Sequence, residues 1–381
     1  MRTQSICLAL AIVLVCRFAS AQWVHTNLPD SRLVTSFAVS GTNLFAGLNS
    51  GISGQAGGGV FLSTDNGTSW TAVSEGLPRA PWDSTQYAPI YCLGMCGENL
   101  FAGTDLGVYV SANNGNSWTA VNAGLPKAPN GFTPTYCLGT SGTNLFAGTY
   151  AGVFLSTNNG TSWSPVNTGL TEPRISALAV SGTNLVAANH QSSIFGTYQA
   201  DSVFFSTNSG TSWTAVNSGL PQGHVVTALA ASGTNFLIVM TGVGQGVFLS
   251  TNSGASWTAI NEGLPYIIIN DTIRHYQGLR SCFVTSGTNL FAGTYGDGVF
   301  LSTNSGTSWT AVNEGLQKDA YSTTKYVSVN CFASIGQNLF AGTGGDANPG
   351  GVWRRPLSEM ITHVESSRFL PASFALEQNY P

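Results

Sequence analysis

The sequence predicts an all-β protein, a seven-bladed β-propeller of four-stranded antiparallel blades whose last blade is closed by the N-terminal strand. Three observations predict it. A phrase close to "GVFLSTNNGTSWSPVNTGL" (Gly152–Leu170) occurs six times, aligned on Trp70, Trp118, Trp163, Trp213, Trp257 and Trp309 at spacings of 48, 45, 50, 44 and 52 residues. Periods of this size belong to solenoids and propellers, in which each repeat buries its apolar face against the next. Each repeat holds four short apolar segments, and none has a helical period with caps. Finally, the chain carries 46 Gly and 11% aromatic residues but only 8% charged ones. That composition suits many tight turns around an apolar core.

The elements follow in order. Residues 1–21 read as a secretory signal peptide: Arg2, an apolar run from Ile6 to Cys16, then the small residues Ala19, Ser20 and Ala21. The run is too short to span a bilayer, and Val15 before Cys16 is too bulky for a lipoprotein cleavage site. Removing Arg2 and Arg17 from the 13 basic residues leaves 11 against 17 acidic ones, a formal charge of −6. No basic run remains, so nucleic acid and anionic membrane surfaces are excluded as partners.

In the third repeat the four segments are "TYCLGTS", "NLFAGTY", "GVFLSTN" and "SWSPVNTGL". Their nearly continuous apolar runs suit strands covered on both faces. A seventh unit starts at Gln317 with "YVSVNCFAS", "NLFAGTG" and "GVWRRPL", then stops after its third strand. The missing strand is expected at the other end of the chain. There "QWVHTNLP" (Gln22–Pro29) matches "SWTAVSEGLP" with two residues deleted. Closure of the ring removes exposed sheet edges. The propeller is therefore assigned to residues 22–357. Cys92, Cys137, Cys282 and Cys331 share one repeat position that Ser36, Ala177 and Ala228 hold elsewhere. Small size is what these residue types share, so the cysteines read as core residues rather than disulfides or metal ligands.

The six phrases "STDNGTSW", "SANNGNSW", "STNNGTSW", "STNSGTSW", "STNSGASW" and "STNSGTSW" resemble the Asp-box, Ser-x-Asp-x-Gly-x-x-Trp. It is the repeat of sialidase-like propellers and of photosystem assembly-factor-like and sortilin-like ones. The resemblance covers about Gln22 to Leu357. Only Asp65 keeps the acid; Asn113, Asn158, Asn208, Asn252 and Asn304 replace it. The resemblance implies a turn between the third and fourth strands, with a structural role. The Asp or Asn oxygen accepts backbone N–H bonds across the turn, and Gly67 and its counterparts supply a left-handed position. The Trp is the anchor: burying it covers about 150–250 Å², a gross gain of roughly 4–6 kcal/mol at about 25 cal/mol/Å².

Strand alternation puts these turns on one face. The second-to-third loops and the blade connections lie on the other, where lengths vary widely. Long connections are "RAPWDSTQYAP", "KAPNGFTP", "YIIINDTIRHYQGL" and "QKDAYSTTKY"; long second-to-third loops are "NSGISGQAGGG", "NHQSSIFGTYQAD" and "GGDANPGG". Variable loops on a rigid scaffold are where binding function sits. The ligand-binding candidates are Trp82, Tyr87, Phe132, Phe195, Tyr198, Asp271, Arg274, Tyr276 and Tyr321. Such side chains stack on sugar rings or peptide side chains. A second reading of the same aromatics is that they pack their own loops.

The resemblance makes a sialidase the first catalytic candidate. That family uses three Arg on a substrate carboxylate, a Tyr–Glu nucleophile pair, an acidic Asp and an Arg-Ile-Pro motif. Here "PRIS" (Pro173–Ser176) is the nearest approach, in the wrong blade, and no three Arg match with a Tyr–Glu partner. Glu75, Glu262 and Glu314 fall in one repeated turn. Asp271 with Asp297, or Asp83 with Asp105, could form a hydrolytic carboxylate pair, but nothing singles either out. His25, His190, His224, His275 and His363 have no metal-ligand spacing. "GVGQG" (Gly242–Gly246) is not a dinucleotide fingerprint, since no helix follows it.

At the C-terminus, residues 358–381 form a linker and then "FALEQNYP". This resembles the truncated start of the C-terminal sorting domain of type IX secretion. The expectation is a monomeric, non-catalytic binding or adhesion module, secreted or on the outer cell surface. It takes a glycan or protein ligand and has no cofactor, metal or transmembrane segment. The alternatives are a divergent sialidase-like glycoside hydrolase and a structural cell-surface scaffold.

Overall fold

The computed structural model describes residues 22–49, 58–171, 173–189, 202–221, 224–232, 235–242, 246–265, 267–269, 273–275, 282–320, 322, 324–345 and 348–361. These form seven four-stranded antiparallel sheets whose first strands neighbour one another in a closed ring. Blade 1 consists of Val34–Ser40, Asn43–Leu48, Gly59–Ser63 and Thr71–Ala72. Blades 2 to 6 repeat the order, with first strands beginning at Ile90, Thr135, Ile175, His224 and Cys282. Blade 7 takes Val329–Ile335, Asn338–Gly345 and Asn348–Pro356. Its fourth strand is Val24–His25, paired through Val24 with Arg354 and His25 with Trp353. The chain is a seven-bladed β-propeller.

The second strands are buried on both sides because a neighbouring blade covers each, which is why they read as continuous apolar runs. Cores accordingly lie between blades: Phe45 and Val60 of blade 1 pack with Ile90, Leu100 and Trp118 of blade 2. Most fourth strands are two exposed residues such as Thr71–Ala72, an outer edge too short to template another chain.

One device joins the blades. Trp118 donates its backbone N–H to Glu75 O at 2.8 Å and its indole N–H to Val73 O at 2.7 Å, both in blade 1. Trp163, Trp213, Trp257 and Trp309 treat the preceding blade the same way. The connecting turn must come close. Gly124 has φ +92°, and a Cβ there would collide with the Trp163 carbonyl. Trp23 repeats both bonds, to Glu314 O and Val312 O of blade 6. The terminal strand therefore docks as an ordinary blade does. The seam between blades 7 and 1 differs. The deletion in Gln22–Pro29 removes the Glu-Gly turn, and Trp70 donates instead to Thr26 Oγ1 at 3.2 Å. Arg354 adds a bond to Asn66 O at 2.7 Å. After Pro356, residues 357–361 make one helical turn whose Met360 is buried with Trp23, Val312 and Trp353.

The third-to-fourth turns share a hydrogen-bond set. In blade 3, Ser156 Oγ donates to Asn158 Oδ1 at 2.9 Å and accepts from Gly160 N at 2.9 Å. Asn158 Oδ1 also accepts from Ser162 N at 3.0 Å, while its Nδ2 donates to Ser162 Oγ at 2.9 Å. In blade 1 the Asp65 carboxylate accepts from Ser63 Oγ, Ser69 N and Ser69 Oγ. The last serine hydroxyl simply reverses from acceptor to donor, so Asp and Asn interchange. The left-handed requirement is double. Asn159 (φ 54°) precedes Gly160 (φ 79°), as Ser209, Ser253 and Ser305 precede their glycines, the pair of positive φ values that a type I′ turn needs.

The five cysteines among the described residues are free. Cys92, Cys137, Cys282 and Cys331 each stand opposite a glycine on the second strand: Gly103, Gly148, Gly293 and Gly342. Where the partner is Ala188 or Val239, the position is Ala177 or Ala228. The larger first-strand residue thus goes with glycine, and Ala goes with a second-strand residue that has a side chain, as close packing favours. Burial pushes the Cys137 thiol up to about 12 and raises the other three as well, so these are unreactive thiols.

Candidate functional site

The two faces differ in charge. On the face of the first-to-second hairpins and third-to-fourth turns, Asp65 and Glu98 are the charged residues of those turns. Among the described residues from 22 to 353, every Lys and Arg lies in a blade connection on the opposite, loop face, while Arg354 reaches the turn face at Asn66 O. Most of the described cations thus sit on the loop face, where they can steer a charged partner.

The connection from blade 1 to blade 2 is a hairpin, Arg79–Ala80 paired with Asp83–Tyr87. Its inside is braced by side-chain hydrogen bonds. Asp83 Oδ1 accepts from Thr85 N at 2.9 Å and Thr85 Oγ1 at 2.6 Å, and Oδ2 accepts from the buried Gln86 Nε2 at 2.7 Å. The Thr85 bonds, with Gln86, hold the Asp83 carboxyl below its ordinary range. Arg79 lies 3.9 Å from the centre of the Tyr87 ring, which packs on the core between blades 1 and 2. Trp82, at the tip, is 56% exposed. Of two aromatic candidates on one hairpin, Tyr87 holds it together and Trp82 faces solvent.

Phe132 is half-buried in a self-closed loop: Ala128 N donates to Phe132 O at 2.7 Å and Phe132 N to Asn130 Oδ1 at 3.1 Å. Arg274 is placed by its backbone in the short strand Ile273–His275, opposite Ile268. Phe195, Tyr198, Asp271, Tyr276 and Tyr321 lie outside the described residues.

A second group, at the loop-face end of the innermost strands, arises from a bulge. In blades 1 to 5 and 7 the first strand carries one unpaired residue near this end, and bulges re-aim side chains. Small bulge residues bond to nearby backbone carbonyls: Thr35 Oγ1 to Ile90 O of blade 2 at 2.5 Å and to Gly47 O of its own blade at 3.0 Å, Ser176 Oγ to Ala188 O at 3.3 Å and Asn330 Nδ2 to Gly344 O at 2.9 Å. Blades 2 and 3 carry Tyr91 and Tyr136 instead, whose rings meet with centres 5.8 Å apart at 45°. Tyr91 donates to Asp105 Oδ1 at 2.7 Å, and the exposed Arg174 stands 5.2 Å from the centre of the Tyr136 ring. Burial, then the Asp105 bond and charge, push the Tyr91 hydroxyl well above its ordinary range; it stays a neutral phenol.

This cluster gathers residues that sequence reasoning had scattered. Arg174 figured only within "PRIS", and Asp105 only as a partner for Asp83. The structure engages the two acids separately, Asp83 inside its hairpin and Asp105 with Tyr91. A signal existed: Tyr occupies a position that is Thr, Ser or Asn in the other blades with a bulge.

No protein-family model matches the chain, and no curated protein does. Solved structures do. The GH74 xyloglucanase from Xanthomonas campestris aligns over 89% of this chain and 54% of its own, at 16% identity and a TM-score of 0.62. The extracellular domain of BT4673 from B. thetaiotaomicron aligns over 89% of this chain and 40% of its own, at 14% identity and 0.58. YCF48 bound to D1 peptide aligns over 90% of this chain and 98% of its own, at 11% identity and 0.56. The chain thus spans about half the length of the xyloglucanase and 40% of the BT4673 domain. At these identities the likeness is one of fold.

Proposed function

We propose that the chain is an exported, non-catalytic Asp-box propeller that binds a glycan or a protein through its loop face. The observation that carries this reading is Trp82, held 56% exposed at the tip of a braced hairpin. An aromatic side chain on a preordered element loses little entropy on binding and makes an effective anchor. The concentration of charge and loop length on the same face supports it. Export is supported by the signal-like residues 1–21 and by the resemblance of "FALEQNYP" to a sorting domain. The likeness to a xyloglucanase, an extracellular domain and a peptide-bound propeller fits a scaffold whose site, not fold, selects the ligand.

The hydrolase alternative draws on the Tyr91–Asp105 pair. Against it, Arg174 is the one guanidinium close to the cluster among the described residues, where the resemblance implies three. A glycan and protein array probed with the full chain tests the reading. Retention that Trp82→Ala reduces at least about tenfold supports it; time-dependent loss of sugar from the array would replace it with the hydrolase.

A further inference from the structure

The cluster at the ring's loop-face mouth carries a more specific assignment that does not depend on Trp82. Its polar groups are unequally engaged. The Tyr91 hydroxyl is used on Asp105, and the loop bearing Asp105 is pinned by Thr133 N donating to Asp105 O at 2.9 Å. Arg174 is exposed and has no carboxylate partner among the described residues. The Tyr136 hydroxyl has no hydrogen bond among them either. Between the two ends lie the faces and edges of two tyrosine rings. The cluster therefore offers one available cation and one hydroxyl beside an aromatic floor.

That inventory suits some ligands and not others. A sugar ring brings several hydroxyls, each of which needs a partner once desolvated, and few partners remain here. A carboxylate on an apolar body needs a guanidinium fork for its two oxygens and aromatic area for the rest. Asp105, at the far end beyond Tyr91, repels a carboxylate and so orients it toward Arg174. We propose that Tyr91, Tyr136 and Arg174 form a binding site for a hydrophobic carboxylate, its carboxylate on Arg174 and its apolar body on the two rings. Asp105 acts as a positioning residue, holding Tyr91 in place.

Calorimetric titration of the full chain tests this with N-acetyl-phenylalanine, its amide and glucuronate as probes. The site predicts that the acid binds about tenfold or more tighter than the amide, the scale of one charge-assisted bond, and that glucuronate falls behind by a similar factor. Arg174→Gln lowers affinity for the acid about tenfold and leaves the amide unchanged; Arg174→Lys lies between, since a point charge lacks the fork. A peptide ending in phenylalanine that outbinds the free acid identifies a chain terminus as the source; equal affinity identifies a small acid. Absence of binding by the acid, equal binding of acid and amide, glucuronate matching the acid, or an undiminished Arg174→Gln each overturns the proposal. The wild-type comparison of probes needs no variant to fold. Trp82→Ala leaves these affinities untouched, so failure here and failure of the loop-face reading are separate results.

Discussion

The two faces of the ring are built by the same strands and meet opposite demands. On the turn face, polar side chains of a third-to-fourth turn find partners inside that turn, as Ser156, Asn158 and Ser162 do. The following Trp is locked to the neighbouring blade, as Trp163 is to Val121 O at 2.7 Å. On the loop face, connections differ in length, collect most of the described cations, and raise Trp82 and Arg174 into solvent. Repetition is thus confined to places where blades interlock, and variety to places where they do not.

The largest expected effect breaks an interlock. Trp163→Ala should cost about 3–5 kcal/mol, the usual range for emptying a buried aromatic site. An unchanged midpoint in urea would mean that the repeated Trp holds nothing together. Next comes an irregularity in the repeat. Blades 1, 2, 3, 6 and 7 bury Phe45, Phe101, Phe146, Phe291 and Phe340 in their second strands, whereas blade 5 has Leu237. A pocket of about 170 Å³, open to solvent on one side, lies there, lined by Leu237, Leu249, Leu290 and the exposed turn residues Gly287, Thr288 and Ser305. Leu237→Phe should restore the regular packing and add about 0.5–2 kcal/mol; a lower midpoint would show that blade 5 has repacked around the smaller residue.

A smaller effect concerns the one acid in the third-to-fourth turns. Hydrogen bonds from Ser69, side chain first, lower the Asp65 carboxyl to about 2 from 3.8. A depressed folded value means stability that is present above the ordinary range and lost as pH falls through the folded value. The melting temperature of wild type relative to Asp65→Asn should therefore decline between pH about 4 and about 2, and stay level at neutral pH. A difference that persists below pH about 2 would contradict the hydrogen-bond account. The smallest change in stability is expected from Trp82→Ala, within about 0.5 kcal/mol because nothing packs on an exposed tip.

The ring was legible because burial by neighbours leaves a periodic trace. Even the closing strand could be found, since Trp23 keeps its place in a shortened copy of the phrase. The charge difference between faces was also present in the sequence, but it becomes visible only when strand ends are assigned. What could not be read is whatever depends on register. Tyr87 and Trp82 are both aromatic residues of one connection, and only the pairing of Arg79 with Tyr87 separates the brace from the displayed tip. Tyr91 and Tyr136 look like alternating strand residues until a bulge turns them out. The Arg174 contact then crosses from blade 4 to blade 3, a proximity that no spacing along the chain encodes.

The measurement that tests the division most directly compares three proteins on one glycan and protein array: wild type, Trp82→Ala, and Thr161→Lys, which adds a charge to an exposed turn. The division predicts that Thr161→Lys keeps the wild-type binding profile while Trp82→Ala loses at least about tenfold. Binding that survives Trp82→Ala and disappears with Thr161→Lys would place recognition on the turn face and contradict it.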